Sequence, residues 1–165
     1  GDILGNIQYY GRETHTIFIP RMEVAWDDQV LTGTGSYTEI ASESYVPYFK
    51  NIRRSYREAD NALFRMGVRP EFPAKTYQTS SFYVTKDRLP VTSYYSIQDA
   101  VTEETIIPFD TTATKISCDS KGSFFKLKLN TFMPERYYKI VLKIERDSGD
   151  DVQIHEDGFY FKVER

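Results

Sequence analysis

Phe125, Leu127 and Leu129 alternate with Lys126 and Lys128. The same period of two runs through Tyr138, Ile140, Leu142 and Ile144 against Lys139, Val141 and Lys143. It returns in Phe159, Phe161 and Val163 against Tyr160, Lys162 and Glu164. Successive side chains on a strand point to opposite faces, so each stretch predicts a strand with one apolar and one mainly polar face. Strand signal recurs every 8–14 residues from Thr76 onward, at 76–85, 92–98, 104–109, 113–118, 123–130, 137–146 and 158–164. Ser120-Lys121-Gly122 and the run from Asp147 to Asp151 supply turn chemistry between them. Short strands at this spacing predict an all-β fold, an antiparallel sandwich.

Residues 49–66 carry two periods. Ile52, Tyr56, Ala59, Leu63 and Met66 fit helical spacing with Gly67 as a stop, whereas Phe64, Met66 and Val68 alternate with Arg65, Gly67 and Arg69. We favour a strand over 61–69 and irregular structure over 50–60. Thr14 to Trp26 also reads as strand, interrupted by Pro20, which has no N–H to donate and suits an edge. Asp27, Asp28 and the flexible Leu31 to Ser36 then place a boundary between about 27 and 45. The expected organisation is a strand-like extension over 1–45 and a sandwich over 46–165. A start at Gly1 in place of Met predicts a processed chain or a piece of a longer one.

Composition agrees with the β reading. Among 165 residues, 13 Tyr and 11 Phe outnumber the helix formers Ala and Leu. Aromatics at this density offset the entropy of ordering the chain, which argues against disorder. No apolar run approaches the roughly 20 residues needed to span a bilayer as a helix. A formal net charge of −3 lacks the basic excess of a dedicated nucleic-acid binder. The single cysteine, Cys118, excludes an internal disulfide framework and a Cys-based zinc site.

Phe132-Met133-Pro134-Glu135-Arg136-Tyr137-Tyr138 leads straight into the strand ending near Ile144. This spacing resembles the corner of fibronectin type III and other immunoglobulin-like domains, where a tyrosine hydroxyl bonds back to the backbone. The resemblance makes Pro134 and Tyr138 the structural corner and the fold an immunoglobulin-like β-sandwich. A longer likeness runs through Thr14-His15-Thr16-Ile17, Trp26-Asp27-Asp28, Asn51 to Tyr56, Phe64 to Arg69, Ser93 to Asp99, Thr105 to Asp110, Cys118 to Phe125 and Pro134 to Lys139. Together these segments resemble the C-terminal region of large structural proteins of tailed bacteriophages, the contractile-tailed type of marine hosts above all. That resemblance implies a virion component that associates with other virion proteins and with copies of itself.

Residues able to do chemistry are few. His15 and His155 are the only histidines, and no zinc-hydrolase, nucleophile-elbow or phosphate-loop spacing occurs. Cys118, at the end of a predicted strand, is expected to be a buried inert thiol. Asp147, Asp150, Asp151, Glu156 and Asp157 gather acidic oxygens of the kind that hold calcium, but the EF-hand pattern is missing and a solvated hairpin loop is expected. Lys50, Arg53, Arg54 and Arg57 with Tyr56 form the one concentrated basic patch, suited to a subunit contact, where Arg and Tyr are enriched. Tyr9, Tyr10, Tyr45, Tyr48, Tyr94 and Tyr95 come in close pairs that could stack on sugar rings, although strand geometry sends one of each pair inward. The expected protein is thus a non-enzymatic virion building block with no cofactor, metal, nucleic acid or membrane span. The alternative is a module binding host-surface glycan or a receptor.

Overall fold

A computed structural model describes residues 24, 26–33, 35–73, 86–146, 151–156 and 158–165. Two six-stranded sheets pack face to face. In the first, the order is β1 (Thr38–Glu39), β5 (Asp87–Arg88), β4 (Asn61–Pro70), β9 (Gly122–Lys128), β8 (Ser117–Asp119), with β2 (Tyr45–Phe49) on the other edge of β4. In the second, the order is β3 (Ser55–Arg57), β12 (Tyr160–Glu164), β10 (Arg136–Arg146), β6 (Ser93–Asp99), β7 (Thr105–Ile107), with β11 (Asp151–His155) also pairing β10. Among the described residues no helix is long and apolar enough to cross a membrane.

The alternating stretches build the middle of the sandwich. Phe64 on β4 faces Phe125 on β9 across the register, and both rings turn inward. Tyr138, Ile140, Leu142 and Ile144 line the inner face of β10 and are fully buried. Tyr95 stacks on Phe125 from the opposite sheet, with centroids 4.1 Å apart and planes 12° from parallel. Phe161 joins Tyr56, Phe64, Phe132 and Tyr138 in one aromatic cluster. Such rings give a small two-layer domain a large apolar burial per residue.

Several elements differ from the sequence expectation. The sandwich is mixed rather than purely antiparallel, because β1 runs parallel to β5 and β3 parallel to β12. Ser55–Arg57 is a strand, not irregular chain, because β12 offers it an edge to pair with. The expected acidic loop contains β11, held against β10 from Leu142 to Arg146. The 113–118 strand shortens to Ser117–Asp119, and 123–130 ends in a turn of 3-10 helix, Leu129–Thr131. The predicted strand at 76–85 lies outside the described residues.

Residues 27–33 and 35–45 run along the first sheet. Thr32 N–H donates to the Cys118 carbonyl, and Cys118 N–H to the Val30 carbonyl. Gln29 reaches the carbonyls of Val91 and Ile116 with its side-chain amide. Further on, Ile40 N–H bonds the Arg88 carbonyl and its side chain is buried in the core. Arg146, at the end of β10, donates to the Ile40 and Ser42 carbonyls and lies over the Tyr45 ring.

Candidate functional site

The corner of the sandwich is built by β10. Tyr138 is 1% exposed, and its hydroxyl donates to the Met133 carbonyl at 2.8 Å, across a bend containing Pro134. Glu135, at φ 63°, turns the chain there and puts its N–H on the Val163 carbonyl of β12. Tyr137, one residue earlier in an alternating strand, points outward. The 3-10 turn Leu129–Thr131 brings Phe132 edge-on to Tyr138. These contacts make the corner a structural element.

The basic patch predicted around Tyr56 does not form as one surface. Tyr56 is a core residue; its ring packs on Phe64 and Phe161, and its hydroxyl accepts from Arg53 N–H at 2.9 Å. The odd residue of the short strand β3 must face inward once β3 pairs with β12, a pairing that no local pattern announces. Arg53, Arg54 and Arg57 remain exposed. Lys50 lies elsewhere, its ammonium donating to the Lys121 carbonyl at the turn between β8 and β9.

Cys118 is buried on β8, and burial pushes its thiol pKa up, away from a reactive thiolate. His155 ends β11 with its ring 5.7 Å from Tyr45. The His155 Nε2 and the Tyr45 hydroxyl are buried and have no hydrogen-bond partner among the described residues. Burial lowers the His155 pKa and pushes Tyr45 up to about 12. Of the acidic run, Asp151 lies on β11 and Glu156 pairs with Lys139, whereas Asp147, Asp150 and Asp157 lie outside the described residues, as do His15, Tyr9 and Tyr10. No group of three metal-ligating side chains occurs among the described residues.

Tyr94 and Tyr95 point to opposite faces of β6 and are both buried, so β6 is covered on both faces there. Tyr45 is buried too, so among the described residues of that set Tyr48 is the one with an exposed ring. That ring opens onto a feature the sequence does not display. Tyr37, Tyr48, Lys50, Gly67, Val68, Arg69, Lys86 and Asp87 line a groove of about 510 Å³ on the outer face of the first sheet. Tyr48 faces Gly67 across the β2–β4 ladder, and a Cβ at Gly67 would stand 2.5 Å from the Tyr48 Cζ. Glycine therefore lets the phenol ring lie down across β4. The ammonium groups of Lys50 and Lys86 each lie 5.9 Å from the Tyr37 ring centre.

Beside this groove, Arg65 holds Asp119 through two parallel bonds of 2.9 and 2.8 Å. That fork and the Lys121 N–H bring the Asp119 pKa down to about 2, so the carboxylate stays charged and committed. A second surface feature is the outer edge of β11, which has no strand partner among the described residues. Val152 and Ile154 point outward there, and Ile154 shares a cleft of about 250 Å³ with Val46, Pro47, His155, Glu156 and Phe159.

No family model, curated protein or solved structure matches the chain.

Proposed function

We propose that this chain is a non-enzymatic, immunoglobulin-like β-sandwich component of a phage virion, working through protein–protein assembly contacts. Two points support the immunoglobulin-like reading. The order β2-β4-β9-β8 against β3-β12-β10-β6-β7 corresponds to the two-sheet layout of that class, extended by β1, β5 and β11. The corner tyrosine lies at the start of β10, bonded upstream as that class requires. The phage reading rests on the resemblance of the sequence segments to tailed-phage structural proteins.

The observation that carries the assembly reading is β11. It pairs with β10 on one side, and its other edge has no strand partner among the described residues. Soluble sandwiches blunt such edges with lysine, proline or a bulge. Asp151–His155 contains no lysine, proline or bulge, and turns the apolar Val152 and Ile154 outward. An edge of this kind fits a strand of a neighbouring subunit, whose backbone would satisfy its free donors and acceptors. Repetition across many copies in a particle makes a short contact of this kind sufficient.

Val152→Lys and Ile154→Lys charge the outer face of β11 without touching the buried face. In sedimentation velocity the unaltered chain is expected to self-associate at high concentration, and each variant to remain monomeric with an unchanged thermal midpoint. Variants that associate as well as the parent would remove β11 from the interface.

A further inference from the structure

The lysines on the second sheet are neutralised locally: Lys139 by Glu156, Lys143 by Glu145, Lys162 by Glu135 and Glu164. On the first sheet, Lys50, Arg69, Lys86, Lys126 and Lys128 have no carboxylate partner among the described residues. Among the described residues the first sheet thus presents a cationic face on a chain of net charge −3. The groove concentrates that charge: three cations and one carboxylate, Asp87, surround two tyrosines.

We propose that this groove binds an acidic saccharide, with Tyr48 stacked on the apolar face of one sugar ring and Lys50 and Lys86 pairing with its carboxylate. The Tyr48 ring is 42% exposed yet held against Gly67, so stacking on it costs little further ordering. Lys50 is positioned by the Lys121 carbonyl and by Gly122, where a Cβ would stand 3.1 Å from its ammonium. Single-stranded nucleic acid would share the charge complementarity, but it stacks successive bases on successive rings. Here the Tyr37 ring is engaged by two lysines, which leaves Tyr48 as the open platform for a single ring. This site is separate from the β11 edge, so its test is independent of the assembly reading.

The test titrates the full chain with an oligogalacturonate, a maltohexaose control and a single-stranded oligothymidylate, followed by calorimetry and by amide shifts in NMR. The oligogalacturonate is expected to bind, more tightly at low salt, and to perturb amides around Tyr48 and Gly67. Maltohexaose should bind at least tenfold more weakly. Lys50→Gln and Lys86→Gln, both at exposed positions, should each weaken oligogalacturonate binding about tenfold with unchanged melting. Gly67→Ala should weaken it through displacement of the Tyr48 ring. The proposal is overturned if oligogalacturonate does not bind, if the lysine variants bind it as well as the parent, or if oligothymidylate binds more tightly at the same residues.

Discussion

The Tyr138 hydroxyl serves one acceptor, the Met133 carbonyl, from a fully buried ring. Tyr138→Phe keeps the ring and its contacts with Phe132 and Phe161 and removes only that bond. The expected loss is about 1–3 kcal/mol in urea unfolding, with an unchanged denaturant slope. Tyr137→Phe, at an outward-facing neighbour, should change nothing. This residue was legible in the sequence because the corner is local: apolar residue, proline and tyrosine lie within seven positions. Tyr56 was not. Its neighbours Arg53, Arg54 and Arg57 made it look like part of a polar surface, and its burial follows from pairing with a strand about a hundred residues further on.

At the level of elements, β9, β10 and β12 could be read directly, because each shows one face to the core and one to solvent. β11 could not, because its pattern is inverted: Val152 and Ile154 face out, and Gln153 and His155 face the sandwich. Its inner face rests on the chain leading into β2, through Gln153 on the Glu43 carbonyl and His155 on the Tyr45 ring. A proton on His155 would have to be carried in a buried site, against the Tyr45 ring. Burial lowers the folded-state pKa below the ordinary 6.5. Between the two values the unfolded chain binds a proton that the folded chain refuses, so stability falls as pH drops. The contribution is fully present above about pH 7 and is lost from pH 6.5 downward, toward the folded pKa. His155→Phe should flatten this part of the pH–stability profile, measured by urea unfolding between pH 7.5 and 5.5. A variant with the parent's slope would place the titration elsewhere.

Across the whole molecule, sequence reading recovered the two-layer β architecture but not the surfaces that matter. Tyr37, Tyr48, Gly67 and Lys86 come from four separate segments, and only the fold brings them to one groove. The same holds for the division of charge. Lysines appear throughout the chain, yet glutamates reach those of one sheet and leave those of the other facing solvent. Only the pairs Lys143–Glu145 and Lys162–Glu164 are local in sequence; the groove and the rest of the charge division leave no trace in local spacing.

The segment from Gln29 to Ile40 shows how far the sandwich depends on chain that looked like a connector. Its glycines and short polar residues read as flexible, but Val30, Thr32, Thr38 and Ile40 bond to the first sheet or the residue leading into it, and Gln29 to the carbonyls of Val91 and Ile116. Ile40 itself is 2% exposed and belongs to the core cluster. Two shortened chains, one beginning at Gln29 and one at Ala41, differ only by this segment. Loss of the Ile40 side chain alone costs about 2–5 kcal/mol, as for other large core truncations. The unpaired Cys118 N–H and carbonyl add to that. The chain beginning at Ala41 should therefore melt roughly 10 °C or more below the chain beginning at Gln29. Amide hydrogen exchange should speed up at Cys118, whose N–H loses its acceptor on Val30, and stay slow at Ile140, in the opposite sheet. Equal melting temperatures would mean that residues 29–40 only lie against a sandwich that is complete without them.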